Sequence, residues 1–320
     1  MGPLTYLALF LTFQYSLVPI QAEPTDHHPQ LVRRVVGGTQ AKSSDLPFIL
    51  MIHSKIKSDG IGRCTGIHLA DTWLLTAAHC VMRDKRDVVE PTDVQVFCDV
   101  DEAQPTLWGV ADIHIHPLYK PDKPAFDLAL LRILNATRPA PRVMIGSGPD
   151  GDARPGTELT QAGWGLRIPN TTIETLHNQT DAVAPYLHVR PAQLIALSNF
   201  LWGHFFYVSP WSTTAGTGSG DSGGPLYRPE DDGAGGGGWR VYGLTSSTAY
   251  PPPYNIDKSA GLDLYIRLDV HREWLKDVPL GRAQRYRPWY LASSASRAEY
   301  GAWATYLASV LLCSRWVSRW

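Results

Sequence analysis

The chain has 320 residues, 44% hydrophobic and 18% charged, with a formal net charge of -1 at pH 7. That is an ordinary globular composition, enough for one large or two modest cores. Near-neutrality gives no general electrostatic reason to expect nucleic acid or an anionic membrane as a partner.

From Met1 to Ile20 the chain is largely apolar, but Gln14 and Pro19 break the run, which is short for a membrane span. Residues 1–22 are therefore expected to be a signal peptide cut after Ala22, giving a secreted, extracellular protein. Secretion is an oxidising route in which the four cysteines can pair. The sequons at Asn135, Asn170 and Asn178 fit the same route as glycosylation acceptors.

Residues 23–34 are polar, contain proline and end in Arg33-Arg34, as expected of an exposed propeptide meant to be cut. His27-His28 lies there with no further ligand spaced to join it, so no metal is expected.

From Val35 the pattern is β. Phe48–Ile52, Thr72–Thr76, Val94–Phe97 and Leu128–Ile133 are short strand-forming runs separated by turn clusters such as Ser58-Asp59-Gly60. Glu158–Gly163, Arg240–Leu244 and Leu262–Ile266 form a second series. A short helix is expected within Leu187–Phe200. The glycine run 233–238 lacks the Lys-Ser/Thr of a phosphate loop and suits a hairpin tip, and no cofactor is expected. Val270, Trp274 and Leu275 have the spacing of an amphipathic helix closing the domain. Residues 280–320, rich in Trp, Tyr and Arg, form a tail to which the sequence gives no role.

Three segments carry chemistry. Leu75-Thr-Ala-Ala-His79-Cys80 sets a histidine just beyond an apolar strand; Phe126-Asp127-Leu-Ala-Leu-Leu sets an acid at the mouth of another; Gly218-Ser-Gly-Asp-Ser222-Gly-Gly-Pro225 sets a serine in a glycine-rich turn. Each alone has a purely structural reading. Together, in the order His, Asp, Ser, they resemble the trypsin-like (chymotrypsin-fold) serine peptidases. The resemblance extends to Arg34-Val35-Val-Gly-Gly38, Ala162-Gly-Trp-Gly165, Tyr242-Gly-Leu-Thr-Ser246 and Tyr265-Ile-Arg267, spanning about Val35 to Pro279.

The resemblance implies an all-β fold of two packed six-stranded antiparallel barrels, about 35–145 and 146–279, with a short C-terminal helix. It implies a serine endopeptidase with His79 as base, Asp127 as orienting acid and Ser222 as nucleophile, assisted by the Gly220 and Ser222 amides as oxyanion hole. Ser246 would hydrogen-bond Asp127. Cleavage after Arg34 by an activating protease would free the Val35 amine to pair with Asp221. The partners implied are protein or peptide substrates, and a monomer is the default.

Cys64 and Cys80 match the family disulfide beside the histidine; Cys98 reads as a buried strand thiol, and a bridge from it to Cys313 stays open. For specificity, the resemblance places Gly216 and Asp263 at the base of the primary pocket and Thr248 on its wall. Gly216 replaces the usual determinant for basic residues, Asp263 would favour Lys or Arg, and Thr248 would narrow the opening, giving a mixed preference. His114 and His116 alternate on one strand face and are expected to pack rather than bind metal. Two rivals differ in class. A catalytically silent homologue acting as a binding protein would keep the fold, whereas a lipase would need Ser before acid and His.

Overall fold

A computed structural model describes residues 38–57, 60–101, 105–121, 125–148, 151–165, 187–197, 205–211, 217–231, 237–249 and 261–287. The expected signal peptide, the propeptide and residues 288–320 of the tail lie outside the described residues.

In chain order the strands begin with β1 Thr39–Ala41, β2 Ile49–Lys57, β3 Gly60–Ala70, β4 Trp73–Thr76, β5 Met82–Arg83 and β6 Asp87–Val88. Then come β7 Val94–Cys98, β8 Thr106–Ile115, β9 Ala129–Leu134, β10 Val143–Ile145 and β11 Glu158–Gly163. The series ends with β12 Leu187–Leu197, β13 Phe205–Trp211, β14 Pro225–Asp231, β15 Gly237–Ala249 and β16 Gly261–Arg267.

Strands β2-β3-β4-β9-β8-β7 close the first barrel. Its lining of Ile52, Ile67, Leu74, Leu75, Trp108 and Leu131 is withdrawn from solvent, which is what stabilises short strands that could not persist alone. In the second sheet, β12 pairs with β11, β11 with β14, β14 with β15, β15 with β16, β16 with β13, and β13 with β12. That circuit is a second six-stranded antiparallel barrel. Two further strands join this sheet: β1 pairs with β12, and β10 runs parallel to β15.

The structure departs from the sequence expectation at Leu187–Phe200. Leu187–Leu197 is a strand, because β11, β1 and β13 take up its backbone groups on both edges. Pro191, opposite Thr160 on β11, would have removed a helical hydrogen bond in any case. At the C-terminus a 3-10 turn, Asp269–His271, leads into the helix Arg272–Asp277. Trp274 and Leu275 face inward as expected, but Val270 sits in the 3-10 turn and is 42% exposed.

Register decides what leaves each barrel at the same edge. Thr76 on β4 lies opposite Ala129 on β9, so His79 and Asp127 emerge together. Pro225 on β14 lies opposite Leu244 on β15, so Ser222 and Ser246 also emerge together. The C-terminal helix braces the first of these edges. Phe126, just before Asp127, takes a left-handed φ of 60°, costly for a bulky residue. Its ring stacks on His116 at 5.0 Å, and His116 in turn packs on Trp274 at 5.0 Å. His114 pairs instead with Asp112 at 3.0 Å. The two histidines therefore have separate packing partners.

Candidate active site

β4 ends at Thr76, and a single 3-10 turn over Ala78–Val81 carries His79. The disulfide Cys64–Cys80 ties that turn to β3, with the sulfurs and His79 clustered within 4.8 Å. Bonded to each other, those sulfurs are not thiolate ligands. Asp127 is 3% exposed, and its carboxylate is held from three sides. The His79 backbone N–H donates to Oδ1 at 2.9 Å, Nδ1 of the same residue meets Oδ2 at 2.7 Å, and Ser246 Oγ donates to Oδ2 at 2.7 Å. Because the acid takes up Nδ1, Nε2 is the nitrogen left for chemistry.

These contacts set the titration of both partners. Burial works against the imidazolium, and Lys85 adds repulsion, but the Asp127 charge and hydrogen bond outweigh them and raise the His79 pKa. Burial alone would raise Asp127, yet His79 and the hydrogen bond from Ser246 hold its carboxyl below the usual range. The His79 side chain keeps 34% of its surface exposed against 4% for Asp127, so the base is open while its orienting acid is not.

Ser222 is fixed from both barrels. Its carbonyl accepts from Thr65 N–H of β3 at 2.8 Å, while the next amide, Gly223 N–H, donates to Thr245 O of β15 at 2.8 Å. Thr65 also donates its hydroxyl to Gly220 O at 2.8 Å and accepts from Trp164 N–H at 3.0 Å. Glycine is required twice in this turn. Gly220 has φ 103°, and Gly223 has φ 84° with a Cβ that would fall 2.2 Å from Thr65 O. Among the described residues, neither the Gly220 nor the Ser222 amide has an acceptor. Two backbone donors, with Asp221 between them, thus have no acceptor among the described residues.

Behind the turn lies a layer of buried charge. Asp221, 2% exposed, accepts from Gly165 N–H and Gly218 N–H, each at 2.8 Å. Burial pushes its carboxyl up to about 6, against the pull of these two amides. Asp263 is fully buried at 0% and binds Arg190 at 3.1 Å through Oδ2. Its Oδ1 accepts from Thr217 Oγ1 at 2.8 Å and Thr217 N–H at 3.2 Å. Arg190, 6% exposed, also donates to Gln161 Oε1 at 2.6 Å. Burial raises the Asp263 pKa, with the Thr217 bonds and Arg190 opposing it.

Residues 35–275 match the Trypsin family. The chain belongs to that family. Similar proteins include the venom peptide isomerase heavy chain of Agelenopsis aperta, 27% identical over 62% of this chain and 84% of the relative. Chymotrypsin-like elastase family member 3B of Macaca mulatta is 25% identical over 80% of this chain and 96% of the relative. Human kallikrein-2 is 25% identical over 78% of this chain and 91% of the relative.

Within this trypsin-family domain hydrogen bonds join His79, Asp127 and Ser246, Thr65 holds Gly220 and Ser222 on one turn, and that turn meets the histidine segment where Cys80 Sγ lies 3.8 Å from Ser222 O. Arg34, Val35, Gly216, Asn170 and Asn178 lie outside the described residues; Thr248 is described only as a strand position opposite Asp263. Asn135 is exposed at the end of β9 with φ 55°. Cys98 is free and buried, and burial pushes its thiol up to about 12. Sequence reasoning missed Thr65, Thr217 and Arg190. Position beside Cys64 was the one signal for Thr65, and an arginine in a strand otherwise rich in buried residues was the signal for Arg190.

Proposed function

We propose that this chain is a secreted serine endopeptidase that hydrolyses peptide bonds through an acyl-enzyme. The observation that carries this reading is the Asp127 carboxylate, buried and shared between His79 Nδ1 and Ser246 Oγ at 2.7 Å each. An acid so held fixes the imidazole tautomer and stabilises the cation formed when Nε2 accepts a proton. Ser222 Oγ, a weak nucleophile at its own pKa, attacks the substrate carbonyl as His79 takes that proton. His79 then returns it to the leaving amine. The ester left on Ser222 is cleaved by water in the reverse sequence of proton transfers. The Gly220 and Ser222 amides suit the oxyanion of each tetrahedral intermediate, worth about 10²–10³ in turnover per donor.

Activation by an activating protease after Arg34 is part of the same reading. Asp221 is a buried carboxyl raised to about 6, so a cation delivered beside it relieves a desolvation cost. The Val35 ammonium would be that cation. Secretion rests on the apolar 1–22 segment, the disulfide and the exposed Asn135 sequon. Among the described residues no helix is long and apolar enough to cross a membrane.

Labelling by a fluorophosphonate probe tests the reading, with the N-terminus verified at Val35 and Ser222→Ala as control. Covalent labelling at Ser222 is expected. Folded, correctly processed protein that takes no label would instead favour a silent homologue acting by binding.

A further inference from the structure

We propose that Arg190 sets the primary specificity of this site by neutralising Asp263, so that the substrate side chain next to the cleaved bond meets a base with no spare negative charge. The inference rests on the peptidase reading above.

Thr217 lies five residues before Ser222 and binds Asp263 through both its hydroxyl and its amide. Asp263 on β16 lies opposite Thr248 on β15, two residues beyond Ser246. The resemblance to trypsin-like peptidases implies that a side chain entering beside Ser222 passes between these two segments, and Asp263 is bonded to one and paired with the other. Left unpaired, it would draw in Lys or Arg.

It is not unpaired. Both oxygens are occupied, one by Arg190 at 3.1 Å and one by Thr217, and no part of the residue reaches solvent. Arg190 comes from β12, is 6% exposed, and is aimed inward, with its Nε lacking any partner among the described residues. A second cation arriving at Asp263 would share one anion with a guanidinium already in contact. In a buried site that repulsion offsets the attraction, since both act over similar distances. Asp221 offers no substitute, because its oxygens are turned to the Gly165 and Gly218 amides. If the Val35 ammonium joins it, two acids and two cations leave the layer neutral. The substrate side chain this base accepts is therefore uncharged.

The test uses processed protein carrying Ser222→Ala, so that binding is read without catalysis. Benzamidine is the cationic probe and benzamide its neutral counterpart, each titrated by calorimetry. Comparable affinities are expected for the two. Arg190→Met should strengthen benzamidine binding alone by about tenfold or more, and adding Asp263→Asn should remove that gain. In the catalytic background the Arg190→Met protein should acquire cleavage after Lys and Arg. If Arg190→Met does not fold, the parent pair of affinities decides, and Asp263→Asn, which leaves the Arg190 cation unpaired, should push benzamidine below benzamide rather than level with it. A cation preference of about tenfold in the parent protein that disappears with Asp263→Asn would overturn the proposal. So would a folded Arg190→Met protein with unchanged affinities. Expected binding in a protein that takes no fluorophosphonate label would sink the peptidase reading while leaving the role of Arg190 standing.

Discussion

The two barrels bury different things beneath the turns that carry His79 and Ser222. Under His79 the first barrel is mainly apolar, with Leu74, Leu75, Ile67 and Leu131 at its centre, and a disulfide fastens the histidine turn to β3. Under Ser222 the second barrel buries Arg190, Asp221, Asp263 and Gln161, each at most 6% exposed. One half is held by exclusion of water and a covalent tie. The other has an apolar core too, with Leu226, Val241, Leu244 and Ile266 buried, but adds charges that stabilise only as a complete set, because a buried ion deprived of its partner costs more than the pair contributes. Similar barrels can thus fix catalytic groups by quite different means, and the two halves should fail differently.

The largest expected effect falls where the halves meet, at the acid shared by His79 and Ser246. Asp127→Asn should lower kcat by about 10⁴ while leaving the fold intact, the cost of losing the correct imidazole tautomer in this arrangement. Steady-state kinetics with a peptide substrate checks it. His79 must be neutral to act as base, and its pKa is raised, so the acid limb of kcat/KM in the parent protein should lie above the ordinary imidazole value of about 6.5. A limb at or below that value would mean that Asp127 does not dominate its surroundings.

Stability separates the halves more directly. Arg190→Met should cost about 3–5 kcal/mol by leaving Asp263 buried without its cation. Replacing both Cys64 and Cys80 by Ser should cost about 3 kcal/mol, the loop-entropy value for a span of this length. Urea denaturation of each variant measures both. If Arg190→Met proved as mild as a surface substitution, the account of the second barrel as a charge-balanced core would be broken.

A smaller effect sharpens the same point through pH. The raised pKa of Asp221 means that the folded chain keeps a proton that the unfolded chain releases. Its contribution to stability is therefore fully present below about pH 4 and lost as pH rises through about 6, falling by about 1.4 kcal/mol for each pH unit in between. Chain left uncleaved at Arg34 should show this fall, and chain cleaved there should not, once the Val35 ammonium supplies the missing charge. Urea midpoints of the two forms across that range give the answer. Equal pH profiles would count against the pairing.

The smallest effect belongs to the first barrel. Cys98 should resist alkylation in the native protein at neutral pH and react only on unfolding, since it is buried with its thiol pushed up to about 12. Mass spectrometry of the peptide containing Cys98 reads this out. Fast native-state labelling would show that this barrel opens more readily than its apolar core implies.

How much was legible varied with how local each signal was. Trp73–Thr76, Val94–Cys98, Ala129–Leu134 and Glu158–Gly163 fall where short β-branched or apolar runs stand between turn residues. Leu187–Leu197 did not yield to that logic, because His188, Arg190 and Pro191 interrupt its pattern and pairing on both edges decides its state. At the site, Ser246 emerged through resemblance and does bind Asp127, whereas Thr65 carries no distinguishing motif. Its role exists only because β3 passes beside the turn at Gly220.

The sequence by itself determined the order of His79, Asp127 and Ser222, the β character of the chain, and glycine at positions where the Ser222 turn takes a positive φ. These depend on a few consecutive residues, and local chemistry suffices to recognise them. Tertiary structure alone decided that Asp263 is a neutralised core acid. Its counter-charge, Arg190, stands 73 residues away on a strand whose place in the barrel only long-range pairing establishes. A carboxylate's ionic character depends on what is buried beside it, and neighbours along the chain do not specify that.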